Sequence, residues 1–236
     1  MGDMSVIILC GGKGTRMWPS TKEIPKPMAE IGGKPLLWHL MKMYAHHGFT
    51  DFILCLGYLS EQILNYFVNN EEGWNIQFVF TGLDVDKSQR LLAVKDHIKT
   101  ETFLVSYGDD LSNVNVKELV NFHNSHDKLV TLTSVPLYSQ FGVLDMEGHE
   151  VQSFREKPRI EEYWINGGFF VFNKDIFNYL HLGELEDEVF KKLAEDKQIA
   201  AHKFDGFWKG MNTSKDCQEF NKLFDSGSAP WVCWDQ

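Results

Sequence analysis

The stretch Val6-Ile7-Ile8-Leu9-Cys10-Gly11-Gly12-Lys13-Gly14-Thr15-Arg16-Met17 is a short apolar run that ends in three glycines within four residues. The run predicts a buried strand, and the glycines predict a loop whose backbone comes close to another group. Successive backbone N–H groups in such a loop form a concavity that binds anions. Arg16 and, ten residues later, Lys26 add positive charge, so the predicted ligand is a polyphosphate.

The glycine loop matches neither of two widespread phosphate motifs, because it lacks both Gly-x-x-x-x-Gly-Lys-Ser/Thr and Gly-x-Gly-x-x-Gly. The glycines alone also fit a tight turn that binds no ligand. The segment Pro25-Lys26-Pro27 favours the phosphate interpretation, since two prolines restrict the backbone that presents the Lys26 ammonium group.

The length, net charge and cysteine spacing of the chain exclude several classes of protein. The chain has 236 residues, for which one α/β unit is the simplest expectation, and a formal net charge of −10, which argues against a nucleic-acid partner. The four cysteines lie far apart without zinc-site spacing, and we expect reduced thiols. No leader pattern or apolar run of ~18 residues occurs, so we expect a cytoplasmic location with no membrane partner.

Strand and helix patterns alternate over the first half of the chain. Strands are predicted over 6–10, 51–56 and 76–80, and helices over 35–47 and 60–67, the second capped by Ser60. This order predicts parallel pairing in a doubly wound sheet, with the ligand at the carboxyl ends of the strands. Residues 81–90 are predicted to be a loop facing that site, followed by a helix over 91–98.

Carboxylates follow the next predicted strand, 103–107, in the sequence Gly108-Asp109-Asp110. Mg²⁺ prefers one or two carboxylates, with phosphate oxygens and waters as further ligands, so Asp109 is a candidate metal ligand. The alternative is a turn that caps the next element, and Asp110 fits that alternative. His123 and His126, on a predicted helix over 116–126, are interpreted as surface residues rather than as a metal pair.

Gly-Gly-x-Gly-Thr-Arg followed by Pro-Lys-Pro resembles the signature of the sugar nucleotidyltransferases, and residues 26–42 resemble the glucose-1-phosphate cytidylyltransferases among them. The resemblance implies an α/β fold, a Rossmann-like doubly wound mixed sheet of the nucleotide-diphospho-sugar transferase type, with a small mixed β substrate-binding portion. We expect one domain, 1–236. Its nucleotide-binding half is about 1–135 and its acceptor-binding half about 136–224. Residues 225–236 form a tail that packs its indoles against another surface, such as a partner subunit.

The resemblance also implies the site residues. Arg16, Lys26 and Lys157 would be catalytic, through contacts with the β- and γ-phosphates, the α-phosphate and the acceptor phosphate respectively. Asp109 would hold Mg²⁺ together with residue 212, which is Asn212 here and usually aspartate in the family; Asp205 and Asp216 are possible substitutes. The implied nucleotide contacts are Leu9, Gly11, Gly12, Gly14, Thr15, Arg16, Lys26, Arg90 and Gly108. The implied acceptor contacts are Gly142, Glu156, Lys157, Asn166, Gly167 and Gly168, although the glycine pattern alone also fits strand bulges.

The chain differs from the cytidylyltransferases at one further place, because Ser88-Gln89-Arg90 stands where they have a longer segment ending in Gly-Gly-Arg. The hypothesis is Mg²⁺-dependent transfer from a nucleoside triphosphate, CTP in the first instance, to a sugar 1-phosphate such as glucose 1-phosphate, giving a CDP-sugar and pyrophosphate for polysaccharide biosynthesis. Two alternatives stay open. One is a nucleotidyltransferase for another acceptor, a heptose 1-phosphate or a non-sugar phosphate, and the other is a catalytically silent regulatory subunit. Because the cytidylyltransferases often associate, we also expect a homo-oligomer.

Overall fold

The computed structural model describes residues 4–14, 23–69 and 71–234; Thr15 and Arg16 lie outside them. Its strands are β1 (Val6–Leu9), β2 (Glu30–Ile31), β3 (Lys34–Pro35), β4 (Asp51–Leu56), β5 (Asn75–Phe80), β6 (Thr102–Tyr107), β7 (Asp110–Ser112), β8 (Val130–Tyr138), β9 (Val143–Glu147), β10 (Glu150–Arg155), β11 (Arg159–Asn173), β12 (Ile199–Lys203) and β13 (Trp208–Gly210). Its α-helices are α1 (Leu36–His46), α2 (Ser60–Phe67), α3 (Lys87–Ala93), α4 (Val116–His123), α5 (Phe190–Glu195) and α6 (Ser214–Asp225).

Within these residues, seven strands form a mixed sheet in the order β12-β8-β11-β6-β1-β4-β5. β6, β1, β4 and β5 are parallel neighbours, which confirms the predicted βαβαβ arrangement. β11 runs antiparallel to both β6 and β8, and β12 is parallel to β8. Strands of the second half therefore extend the nucleotide-half sheet, while β9 and β10 pair as a separate hairpin.

β1 shows why the sheet is central. Val6 and Ile8 pack into one hydrophobic cluster, together with α1 residues such as Leu40, whereas Ile7 packs into the cluster on the opposite face with Phe103. All three β1 side chains are fully buried. An apolar strand covered on both faces is typical of a parallel sheet between helical layers.

The segment after β5 differs from the prediction. α3 begins at Lys87, so Ser88-Gln89-Arg90 is helical and the loop prediction was wrong there. The Asp86 side chain accepts from the Gln89 N–H (2.8 Å) while the Gln89 side chain accepts from the Asp86 N–H (3.1 Å). This reciprocal cap satisfies two backbone donors and starts the helix four residues before the first apolar pair of the helix.

Other element predictions needed smaller corrections. Ser60 is the first residue of α2 rather than its cap, which is Leu59 with φ +49°. Residues 174–182 form two 3₁₀ segments, Lys174–Asn178 and Leu180–Leu182. A π-helix, Leu185–Val189, follows and continues into α5.

His123 is buried, not on the surface as predicted, with 4% of its area exposed. Its Nδ1 lies 2.8 Å from Thr131 Oγ1, and His126 Nε2 lies 2.9 Å from the same oxygen. The two imidazoles therefore share a β8 hydroxyl and join α4 to the sheet.

The acceptor-half glycines occur at an irregularity in β11. The register against β8 shifts between Asn166 and Phe170, and both Gly168 (φ +69°) and Phe169 (φ +47°) have left-handed backbone conformations. The strand-bulge interpretation of Gly167 and Gly168 is therefore correct, and the bulge directs Asn166 and Gly168 toward the end of β6.

The tail packs against its own chain. Trp231 is fully buried, and its ring lies 5.2 Å from that of Phe220 on α6 and 5.6 Å from that of Phe207. Its indole N–H faces Nδ1 of the buried His39 on α1 at 3.4 Å. The described helices include none that is long and apolar enough to cross a membrane.

Candidate active site at the carboxyl edge of the sheet

A cavity of about 860 Å³ opens where β1 and β6 end. This is the edge at which doubly wound sheets bind ligands. Nine of the predicted nucleotide and metal residues line it: Leu9, Gly11, Gly12, Gly14, Lys26, Arg90, Gly108, Asp109 and Asn212. The other lining residues are Cys10, Pro27, Val85, Lys87, Tyr107, Asp110, Glu184, Glu186 and Asp187.

The glycine loop is held in place by backbone contacts to neighbouring strand ends. The Tyr58 N–H donates to Gly11 O (3.1 Å), and the Gly108 N–H donates to Leu9 O (3.1 Å). A Cβ at Gly11 would lie 2.2 Å from Arg90 Nη1, so this position excludes a side chain, whereas Gly12 faces open space. The loop is therefore fixed on one side and open to a ligand on the other.

Arg90 lies beneath this loop and is 5% exposed. Its guanidinium donates to Thr81 Oγ1 (2.8 Å), Gly82 O (2.9 Å) and Gly11 O (3.1 Å), with longer contacts to Leu56 O and Leu83 O (both 3.4 Å). In the described part of the chain it has no carboxylate partner within 4 Å. Burial lowers its pKa. Arg90 thus cross-links the loops after β1 and β5 to the end of β4 and leaves a positive charge under the glycine loop.

Lys26 lies on a short 3₁₀ turn, Lys26–Met28, preceded by Pro25, and its side chain is 8% exposed. Its Nζ is 2.5 Å from Asp109 Oδ2 and 3.4 Å from Asn212 Oδ1. The structure therefore brings together the predicted phosphate lysine and both predicted metal ligands.

Strand pairing places Asn212 beside Asp109. β13 pairs with β7 so that Gly210 opposes Asp110, and the Met211 N–H donates to Asp109 O (2.8 Å). A Cβ at Gly210 would lie 2.7 Å from Asp110 Oδ1 and 3.1 Å from Asn212 Nδ2, so glycine permits this close approach. Asp110 is buried and lines the cavity.

The two aspartates considered as substitutes for Asn212 are engaged elsewhere. Asp205 pairs with Arg159 Nη1 (2.6 Å). Asp216 accepts from the backbone N–H groups of Asn212 (3.0 Å) and Thr213 (2.8 Å) and pairs with Lys209 (3.0 Å). Neither lines the cavity.

The donor set that could hold a divalent cation is the Asp109 carboxylate with the Asn212 amide oxygen. The described residues hold no group of three or more His, Cys, Asp or Glu side chains placed for a metal. Mg²⁺ is commonly bound by one or two protein oxygens, with phosphate oxygens and waters completing its octahedron, so this donor set fits Mg²⁺ delivered with a nucleotide.

The predicted acceptor residues fall into two groups, and none of them lines the cavity. Asn166 and Gly168 contact residues that do, since Asn166 Nδ2 donates to Tyr107 Oη (3.1 Å) and a Cβ at Gly168 would lie 3.0 Å from the Tyr107 ring. Gly167 packs against β8, where a Cβ would lie 2.9 Å from Val135.

The second acceptor group lies at the β9–β10 hairpin. A Cβ at Gly142 would lie 2.5 Å from the Phe154 ring and 3.2 Å from Glu156 Oε2, so these positions are adjacent. Lys157 follows them, is exposed and has φ +47°. The structure thus brings Gly142, Glu156 and Lys157 together without joining them to the nucleotide residues.

Sequence reasoning missed several polar residues of the cavity, and three of them are joined by hydrogen bonds: Tyr107, Lys87 and Glu186. Tyr107 Oη donates to Glu186 Oε1 (2.5 Å), and Lys87 Nζ lies 2.7 Å from Glu186 Oε2. Tyr107 could have been found as the last residue of a strand ending at the site. Glu186 could not, because a π-helix from the second half brings it to the cavity.

Comparison with known proteins shows the family to which the chain belongs. The profile of the Nucleotidyl transferase family matches residues 5–225. A probable glucose-1-phosphate cytidylyltransferase of Bacillus subtilis (strain 168) is 41% identical over 255 residues, covering 98% of this chain and all of the relative. A glucose-1-phosphate cytidylyltransferase of Salmonella typhi is 38% identical over 257 residues with the same coverage.

Solved structures agree with the fold. A putative glucose-1-phosphate thymidylyltransferase from Bacillus anthracis superposes with a TM-score of 0.74 at 19% identity, covering 96% of this chain and 95% of that one. HddC from Yersinia pseudotuberculosis, complexed with GMP-PN, gives a TM-score of 0.72 at 24% identity, covering 94% and 99%. At these identities the likeness concerns the architecture alone.

Proposed function

The chain belongs to the nucleotidyl transferase family and is an enzyme of that kind, and on this premise we propose that it transfers a cytidylyl group from CTP to a sugar 1-phosphate, glucose 1-phosphate in the first instance. The products would be a CDP-sugar and pyrophosphate. The names of the two cytidylyltransferase relatives support the choice of CTP and glucose 1-phosphate.

One observation supports the chemistry most directly: the glycine loop, Lys26, Asp109 and Asn212 meet at one cavity. Transfer of this type needs an anionic nucleophile and a triphosphate to be held together, and it needs the charge on the leaving oxygens to be neutralised. A phosphate monoester is already nucleophilic near neutral pH, so no proton relay is required.

In the proposed mechanism, the acceptor phosphate oxygen attacks the α-phosphorus and the bond to the pyrophosphate oxygen breaks. The backbone N–H groups of the glycine loop bind the β- and γ-phosphates with Arg16. Lys26 contacts the α-phosphate after release from Asp109, and Lys157 binds the acceptor phosphate. Asp109 and Asn212 would hold Mg²⁺, which neutralises phosphate charge as a Lewis acid.

Arg90 is assigned a different role from the contact first predicted for it. Its donors are directed at backbone and hydroxyl oxygens of the loops after β1 and β5, so we propose that it supports the glycine loop from below. The buried positive charge also favours binding of an anion on the other side of the loop, because a low-dielectric interior screens it weakly.

The test is pyrophosphate release by the purified protein with Mg²⁺, CTP and glucose 1-phosphate, run beside the same reaction with UTP, dTTP, ATP and GTP. Turnover favouring CTP supports the proposal. Turnover only with a heptose 1-phosphate or a non-sugar phosphate would assign another acceptor. Binding of CTP without turnover across the panel would identify a silent regulatory subunit.

The proposal also covers the organisation of the chain, its location and its oligomeric state. We propose a single functional unit in which residues from about 1–135 bind the nucleotide and those from about 136–224 bind the acceptor. We also propose a cytoplasmic homo-oligomer that supplies sugar nucleotides. Cross-linking or light scattering at several protein concentrations measures the oligomeric state, and a monomer at all concentrations would contradict that part.

A further inference from the structure

Four side chains form a continuous series of hydrogen bonds along the cavity. Lys87 Nζ donates to Glu186 Oε2 (2.7 Å) and Tyr107 Oη donates to Glu186 Oε1 (2.5 Å). Asn166 Nδ2 donates to Tyr107 Oη (3.1 Å), and the Gly168 N–H donates to Asn166 Oδ1 (2.9 Å). We call this series the Glu186 network; it links α3, the end of β6, the π-helix and the β11 bulge.

The chemistry of the end groups fixes the direction of every bond. An ammonium group only donates and an ionised carboxylate only accepts, so the Tyr107 hydroxyl proton is committed to Glu186. Burial raises the pKa of Tyr107 well above its ordinary value, and the Glu186 charge raises it further, which keeps that proton in place. The Tyr107 oxygen then accepts a hydrogen bond from the amide nitrogen of Asn166. The amide oxygen of Asn166, Oδ1, is therefore directed at the N–H group of Gly168.

The position of the network connects the two predicted halves of the site. Lys87 and Tyr107 come from the nucleotide half, and Tyr107 directly precedes Gly108 and Asp109. Glu186 and Asn166 come from the acceptor half. Lys87, Tyr107 and Glu186 line the cavity itself. The Tyr107 and Glu186 oxygens act as hydrogen-bond acceptors at the cavity, because the Tyr107 proton is committed to Glu186. The ligand class that matches these acceptors is one rich in hydroxyl donors.

We infer that Glu186 is a positioning residue for the acceptor: it fixes Tyr107 so that the carboxylate and phenol oxygens of this pair, which line the cavity, are oriented acceptors for the hydroxyl groups of a polyhydroxylated phosphate. This inference rests on the proposed function. Lys87 acts through Glu186, since its ammonium group holds the carboxylate that orients Tyr107. The nucleotide contacts of the glycine loop lie outside the network.

The test compares E186Q with wild type in steady-state kinetics with CTP and glucose 1-phosphate. E186Q retains the size of the side chain but loses the charge that orders the series. We expect the KM for the acceptor to rise roughly tenfold or more, as for the loss of a hydrogen bond to a charged group, with the KM for CTP within twofold. E195Q, an exposed change at the end of α5, is the matched control.

Further variants separate a positioning role of Glu186 from a general structural effect. K87M should shift the acceptor KM in the same direction and K87R should restore it. In the double variant Y107F/E186Q, the loss should be no larger than in Y107F alone, because both changes break the same series. Additive losses, or a rise in the KM for CTP equal to that for the acceptor, would overturn the inference.

The outcome for wild type separates this inference from the proposed function. An active wild type with an unchanged E186Q acceptor KM overturns the role of Glu186 and leaves the proposed function standing. A folded wild type that turns over no phosphorylated acceptor overturns both.

Discussion

The buried charge of Lys26 depends on the side chains that surround it. Its ammonium group is almost fully buried, which is costly for a charge unless it is paired. Asp109 and Asn212 supply that pairing, and each is also a candidate metal ligand. Binding of a metal-nucleotide complex would therefore exchange partners, with Asp109 passing to the cation and Lys26 to a phosphate. Neither charge is left unpaired in this exchange.

Lys26→Ala is expected to lower turnover by ~10²–10³, the effect of removing one group that stabilises transition-state charge. The measurement is pyrophosphate release at saturating CTP and glucose 1-phosphate. Lys215→Ala, an exposed lysine on α6, is the control. Undiminished turnover by a K26A protein whose circular dichroism matches wild type would contradict the assignment of Lys26.

At the scale of a structural element, the shape of the glycine loop depends on a side chain from α3. Arg90 joins the ends of β1, β4 and β5 through oxygens of Gly11, Leu56 and Thr81. Without it, those buried acceptors lose their partner, and a lost partner costs ~1–3 kcal/mol for each buried polar group left unsatisfied.

Arg90→Met should therefore lower the free energy of unfolding by ~1–3 kcal/mol or more and raise the KM for CTP more than that for the acceptor. Urea unfolding and steady-state kinetics measure the two effects. Arg155→Met serves as the control, since Arg155 is an exposed arginine that pairs with Asp145 on the hairpin. An R90M protein with unchanged stability and unchanged KM for CTP would show that the cross-link is dispensable.

Elements with strong periodicity could be predicted from the sequence, and those set by local hydrogen bonds could not. β1, β4, α1 and β6 carry clear apolar patterns, and the structure has them within one or two residues of the prediction. The start of α3 depends on a cap between Asp86 and Gln89 in a polar segment that resembles a loop. The π-helix that presents Glu186 has no sequence signal of its own.

The residues of the candidate site likewise divide into those that could be predicted from the sequence and those that could not. Lys26, Asp109 and the glycines were predictable because each lies in a short motif beside a strand end. Tyr107, Lys87 and Glu186 meet only through the pairing of β6 with β11 and the placement of the π-helix, which a motif cannot reveal. The use of Asp205 and Asp216 in other ion pairs likewise depends on tertiary contacts.

Over the whole molecule, buried histidines couple stability to pH. Burial lowers the pKa of His123 and of His47 to about 4, and it also lowers the pKa of His39. Between pH 4 and the ordinary histidine pKa near 6.5, the unfolded chain binds more protons than the folded one. Stability is therefore complete above that range and declines as the pH falls through it.

We expect the free energy of unfolding to be lower at pH 5.0 than at pH 7.5, as measured by urea denaturation at constant ionic strength. His123→Gln should reduce this difference, because it removes one of the groups that take up protons on unfolding. Equal stability at the two pH values, or a larger difference in H123Q, would contradict the assignment.

The C-terminal tail contacts both α6 and α1. Trp231 packs against Phe220 on α6 and faces His39 on α1, and α6 begins directly after Asn212 and Thr213. Trp231→Ala should cost ~3–5 kcal/mol, as for other large-to-small changes in a core, and the loss should be independent of protein concentration because the contacts lie within one chain. Trp234→Ala, at a partly exposed position, should cost less. A W231A loss that appears only at low protein concentration would instead assign the indole to a subunit interface.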